Sequence, residues 1–433
     1  MAEYQQGYIN RVGVIMYSFD IISNIDGRQD VLLFDEKTAT LFDINHNPIP
    51  VSGYNKDNSI VIRISLGTEC NNKCIYCQQH MVCKSHLTDN FEETAERFVS
   101  NLYTFIANRF SDVTDRNIAV SFWGGEPLLY IDRIKVLIPL LRMVFGNLNF
   151  FIITNGILLS DDITSFLIDN GVYTNISHDG PGQKICRNVE ILDNNDTRAN
   201  ILRLIDAGLL SFSPVFTVHN PTIRNWMWYM YNYLGDKIYK VNGVSTMYIR
   251  PVTEDHSKLL PSPVHIQQNT DDIIACIRRT DLAVAPFAKE VNNNIWQMLE
   301  VLHTHSPLYP YCNSSKPNVI SVDVIGNVWK CHNFIDPANT SNIAGNIFTD
   351  VHIDKDWVSH KTDVCNDCLC QLICHAGCPL EGCHTNTCWY RYHTLLPMFY
   401  MAIDVLTGGE YTLLNIRHIG SKYGQDMDSD GQQ

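Results

Sequence analysis

Between residues 61 and 252, short apolar runs with strand-like character recur, and the stretches between them switch to a helical period. The strand-like runs are VIRISLG (61–67), IAVSFW (118–123), FFIITN (150–155), YTNISH (173–178), SPVFTV (213–218) and STMYIRPV (245–252). Helical spacing is clear over 92–110, 134–145 and 199–208. Six strands alternating with helices predict parallel βα units joined by right-handed crossovers, hence an α/β fold built on a partial, TIM-like (β/α)6 barrel. In such a fold the loops leaving the C-terminal ends of the strands form one working rim. Every unusual loop of the sequence falls there: CNNKCIYC (70–77), GGEP (124–127), NG (155–156) and DGPG (179–182).

Outside the barrel, expected over 61–290, the pattern changes. Residues 1–60 hold two more strand-like runs, 12–19 and 30–36, and read as a small β-rich extension. Residues 291–420 read as a bridging region followed by a metal-dependent domain, because nine of the fifteen cysteines lie between Cys312 and Cys388. The small polar residues of 421–433 predict a disordered tail.

Composition narrows the partners. With 433 residues, 45% of them hydrophobic, the chain can bury a large core. Acidic residues outnumber basic ones by 46 to 32, giving a net charge of −14 and no electrostatic footprint for nucleic acid or an anionic membrane. No apolar run approaches the roughly 18 residues needed to cross a bilayer, and the first residues lack a targeting pattern, so a cytoplasmic location is expected. In that reducing compartment an odd number of clustered cysteines points to metal ligands or catalytic thiols rather than disulfides.

Cys70, Cys74 and Cys77 have C-x3-C-x2-C spacing. Three thiolates from one loop can hold three irons of a [4Fe-4S] cube and leave the fourth open, or they can hold zinc. An open iron on a strand-end rim suits a cluster that must bind and reduce a small molecule. The loop resembles the signature of the radical S-adenosylmethionine (SAM) enzymes, and the later loops are similar to that family in the same order. The resemblance implies that the cluster cleaves SAM to a 5′-deoxyadenosyl radical. It further implies SAM contacts from Tyr76, from Gly124, Gly125, Glu126 and Pro127, from Thr154 and Asn155, and from Ser177, Asp179 and Arg187.

The later cysteines are similar to the SPASM extension of these enzymes. By that resemblance Cys312, Cys331 and Cys378 hold one auxiliary [4Fe-4S] cluster, and Cys365, Cys368, Cys374 and Cys388 a second, for three clusters in all. Zinc bound by Cys365 to Cys378 is the simpler alternative, and Cys383 competes with Cys388. Cys83, Cys186, Cys276 and Cys370 are expected to be buried free thiols.

SPASM enzymes act mostly on peptides. The SHDGPGQ stretch (177–183) resembles the ribosomal-peptide maturases that form cyclophanes or darobactin-type crosslinks, which implies hydrogen abstraction from a precursor peptide and an intramolecular C–C or ether bond. The alternative is an anaerobic sulfatase maturase, but that branch has Asp after the second SPASM cysteine, where this chain has His332 after Cys331. His332 is the candidate base, and Arg250, at the end of the sixth expected strand, a candidate substrate or SAM contact. The implied partners are the precursor peptide, a low-potential electron donor such as flavodoxin or ferredoxin, and a separate leader-binding protein.

Overall fold

The computed structural model describes residues 16–51, 59–77, 91–248, 254–305, 316–333, 335, 340–349, 365, 368–374 and 385–419. In chain order the strands are β1 (Met16–Ser23), β2 (Gln29–Asp35), β3 (Thr40–Phe42), β4 (Ile60–Ser65), β5 (Asn117–Trp123), β6 (Asn147–Thr154), β7 (Val172–Ile176), β8 (Leu210–Phe212), β9 (Val215–Phe216), β10 (Met247–Tyr248), β11 (Val319–Asp323), β12 (Asn327–Trp329), β13 (Ile343–Asn346) and β14 (Tyr411–Ile419). The chain divides into two compact units, one of residues 57–261 and 312–357, the other of 1–56, 262–311 and 358–433. The cysteine-rich region 291–420 thus contributes to both.

The first unit carries the mixed α/β architecture expected from the sequence. Its sheet has the order β13-β12-β11-β4-β5-β6-β7-β8, and β4 through β8 are parallel throughout. Alternation sorts the side chains: Ile62, Ile64, Val120, Phe122, Phe150 and Ile152 are buried on one face, Phe122 stacking on Phe150 at 5.9 Å. The opposite face carries half-buried Arg63, Ser121, Phe151 and Tyr173, aligned by register across four strands. Such alternation along parallel strands sets one face in the core and leaves the other half-buried.

Two strand expectations are corrected. The fifth strand is Leu210–Phe212, upstream of the expected SPVFTV run, because Pro214 has no N–H for the ladder and splits β8 from the two-residue β9. The sixth starts at Met247 rather than Ser245 and pairs in parallel with β9, residues 249–252 lying outside the described residues, and a parallel bridge joins Phe212 to Val244. On the other side β4 is not an edge, since β11 pairs with it in parallel and turns into the antiparallel β12. Gly326 makes that turn at φ +88°, and a Cβ there would meet the Phe348 ring at 2.4 Å.

The second unit contains a sheet of order β14-β1-β2-β3. The helix Thr385–Leu406 covers it, with Phe399 set edge-on against both Phe19 and Phe34. Among the described residues no helix is long and apolar enough to cross a membrane. The tail 421–433 lies outside the described residues.

Candidate active site at the strand-end rim

The loop leaving β4 runs from Leu66 to Cys77, and the neighbouring strand ends take hold of it. From the end of β5, Gly125 N donates to Gly67 O at 3.1 Å and Glu126 N to Glu69 O at 2.8 Å. A Cβ on Gly125 would lie 2.2 Å from Glu69 O, and one on Gly124, whose φ is +157°, 2.5 Å from Gly67 O. Both glycines are therefore required by the approach of two stretches of this chain's own backbone. The Tyr130 hydroxyl accepts from Glu69 N at 3.1 Å, and Arg133 donates to Leu66 O at 2.5 Å.

Glu126 joins β5 to β6. Its Oε1 accepts from Leu128 N at 3.0 Å and Thr154 Oγ1 at 2.6 Å, and its Oε2 from Asn155 N at 2.8 Å. Burial pushes this carboxyl up, while the three bonds and the more distant Arg187 pull it back. Pro127 follows, buried, at the start of a single tight turn. Asn155 reaches onward, its Nδ2 donating to Asn71 Oδ1 at 2.8 Å and lying 3.9 Å from Cys70 Sγ.

The loop after β7 closes the other flank. Ser177 N donates to Thr154 O at 2.9 Å. Behind it, buried His178 bonds Glu190 at 2.8 Å through Nε2 and accepts from Gly180 N through Nδ1. Asp179, fully buried, accepts from Val215 N at 2.9 Å, from Arg187 Nε at 3.0 Å and from the Tyr76 hydroxyl. The Arg187 guanidinium lies 5.4 Å over the Tyr76 ring, with Nη1 3.8 Å from Cys74 Sγ. Ile75 N donates to Cys186 O at 3.0 Å, and Asn188 Nδ2 to Lys73 O at 2.9 Å.

These contacts bring the expected rim residues together. Burial pushes the Cys74 thiol up to about 12 against the pull of Arg187, and burial raises Cys70 as well. Cys77 adds to both shifts, so the three thiols lie within electrostatic reach of one another. Among the described residues no three His, Cys, Asp or Glu side chains gather tightly enough for a single ion. A cubane does not need such convergence, because each thiolate takes a different iron. The donor set fits an iron-sulfur cluster, which takes three thiolates of one loop on three irons.

On the half-buried face, Arg63 donates to His332 Nδ1 at 2.7 Å, and the His332 ring stands edge-on to Trp123 at 4.6 Å. A guanidinium can only donate, so Nδ1 is the acceptor and the imidazole proton sits on Nε2. Arg63 carried no signal in the sequence beyond its place inside an apolar strand.

Of the auxiliary-cluster candidates, Cys331 is buried just after β12. In the other unit Cys365, Cys368 and Cys374 fall on one short stretch, and Cys388 lies in the first turn of the helix Thr385–Leu406 rather than ahead of it. Cys370, expected to be a buried free thiol, is free and 1% exposed, and the nearness of the two thiols lowers Cys368 while Cys370 rises well above the usual range. Tyr17 and Tyr392 lie in electrostatic reach of that pair. The C-x-C spacing of residues 368 and 370 was the available signal for this pairing. Arg250, Cys312 and Cys378, with Cys83 and Cys383, lie outside the described residues. On the aromatic-rich helix Ile223–Leu234, Trp226, Met227, Met230 and Leu234 are core, while Trp228 and Tyr231 are exposed.

Residues 64–224 match the sequence model of the Radical SAM superfamily, and this part of the chain is a radical SAM domain. A cysteine-type anaerobic sulfatase-maturating enzyme of Clostridium novyi (strain NT) is 27% identical over 159 residues, covering 32% of this chain and 41% of that protein, so the match spans well under half of the relative. Among solved structures, native anSMEcpe with bound AdoMet superposes with a TM-score of 0.60 at 16% identity, covering 80% of this chain and 99% of that one. Streptococcus suis SuiB bound to precursor peptide SuiA gives 0.51 at 14% identity, with 76% of each chain covered. At these identities the structures establish a shared fold.

Proposed function

We propose that the protein is a radical SAM peptide maturase that installs an intramolecular crosslink in a ribosomally made precursor peptide. The observation that carries the reading is the three-thiol loop pinned at the rim of a radical SAM domain, beside a sheet face that carries half-buried polar and aromatic side chains. Cys70, Cys74 and Cys77 would hold a [4Fe-4S] cluster, and Tyr76, the 124–127 turn, Thr154, Asn155, Ser177, Asp179 and Arg187 would shape the SAM pocket. When bound, cluster and SAM supply a 5′-deoxyadenosyl radical that takes a hydrogen atom from substrate. The chain's own residues do the rest: the half-buried face of the sheet would meet the peptide, with Trp123 as an aromatic wall and the Arg63–His332 pair as its polar part. A low-potential electron donor and auxiliary clusters at Cys312, Cys331 and Cys378 and at Cys365, Cys368, Cys374 and Cys388 would carry electrons in and out.

The solved structures support a peptide substrate, since anSMEcpe is seen with AdoMet and the Cp18Cys peptide and SuiB with SuiA. The Clostridium novyi relative, a sulfatase-maturating enzyme, favours a second reading, formylglycine formation on a sulfatase. Against it stands His332 in place of the aspartate. Anaerobic co-expression with a small peptide encoded beside the gene, followed by fragmentation mass spectrometry, separates the two. Loss of hydrogen localised to two residues supports the crosslink. An unchanged peptide, with a sulfatase-type Cys peptide converted in parallel, replaces it with the second reading.

A further inference from the structure

We propose that Arg187 and Asn155 set the reduction potential of the rim cluster through N–H···S contacts to Cys74 and Cys70. The proposal rests on the reading that Cys70, Cys74 and Cys77 hold that cluster. Arg187 Nη1 is 3.8 Å from Cys74 Sγ, and Asn155 Nδ2 is 3.9 Å from Cys70 Sγ. Neither group is placed there by chance. Arg187 is 6% exposed, its Nε is fixed on Asp179 at 3.0 Å and its plane lies over Tyr76. Asn155 is anchored at both ends, its Nδ2 on Asn71 and its backbone N on Glu126.

The physics gives each residue a sign. One-electron reduction adds a negative charge to the cluster and its thiolates, so N–H donors to sulfur and a nearby cation favour the reduced form. A guanidinium stays protonated even when buried, and in a water-poor site its field is weakly screened. Asp179, on the far side of Arg187, opposes it. Arg187 and Asn155 therefore raise the potential and Asp179 lowers it, which places the cluster's potential under the control of three side chains that also brace the loop.

The test is potentiometric titration of the anaerobically purified holoenzyme without SAM, read by electron paramagnetic resonance. The relevant signal is the component lost in the C70A/C74A/C77A triple variant; if that variant loses no component, the cluster assignment itself is wrong. Arg187→Gln should reduce the one-electron equilibrium constant at least tenfold, about 59 mV to lower potential. Asn155→Ser should shift it the same way by less, and Asp179→Asn should shift it upward. Iron content is measured on each variant, and if Arg187→Gln does not retain the cluster the opposite signs of the other two decide. Shifts of one common sign, or unchanged potentials with intact clusters, overturn the proposal, because a merely structural role gives no reason for opposite signs.

Discussion

At the scale of single residues, the site is defined by how little room it leaves. Gly125 sits where any side chain would overlap the Glu69 carbonyl, a backbone atom that cannot swing aside. Gly125→Ala should cost about 1–3 kcal/mol of stability and impair iron loading, checked by thermal melting of the apo-protein and by iron content after reconstitution. The same close fit explains why Glu126, expected to receive the SAM ammonium, spends both oxygens on the chain itself. Sequence placed these residues on the rim correctly because strand-end loops in a βα fold share one side. What it could not supply was which atoms each side chain would meet, and so Arg63 against His332 went unnoticed.

Among the elements, the helix Thr385–Leu406 holds the most polar feature of an apolar setting. His393 is 4% exposed, packed 4.2 Å from the Trp389 ring centroid, with neither ring nitrogen bonded among the described residues. Burial lowers its pKa from 6.5 to about 4. The unfolded chain binds a proton near pH 6.5 that the folded chain refuses until about 4. The stabilisation of the neutral buried form is thus present above pH 6.5 and lost as pH falls towards 4, by roughly 3 kcal/mol at most. Melting temperatures of wild type and His393→Phe should converge, or cross in favour of the variant, as pH is lowered from 7 to about 4.5. A parallel pH dependence in the two proteins would show that other groups govern the acid transition. The helices over 92–110, 134–145 and 199–208 were legible from periodicity alone, whereas the strand expected over 213–218 lies upstream because Pro214 interrupts the ladder.

For the whole molecule, the decisive pairing joins the two ends of the described chain. β14 lies against β1 over eight residue pairs, Met16 with Ile419 through Ser23 with Tyr411, with a bulge after Asp20. Arg278 adds bonds to the Leu413 and Leu414 carbonyls, and Arg417 pairs with Asp20. Deleting residues 411–433 should expose β1 as a long apolar edge and turn the protein aggregation-prone, with lowered recovery in the monomer-sized fraction on gel filtration. Replacing only the tail 421–433 should leave that profile unchanged.

The sequence by itself determined the parallel α/β domain, the order of its rim loops and the identity of the three thiols in the first loop. Each is a local property, written in a period of two or 3.6 and in residues a few positions apart. Tertiary structure alone decided that β11 extends the barrel sheet beside β4, that β14 completes the N-terminal sheet, and that Asp179, Arg187 and Tyr76 form one buried group behind Cys74. Those pairings are matters of shape, hydrogen-bond register and desolvated charge between segments up to about four hundred residues apart, and short-range periodicity carries no record of them.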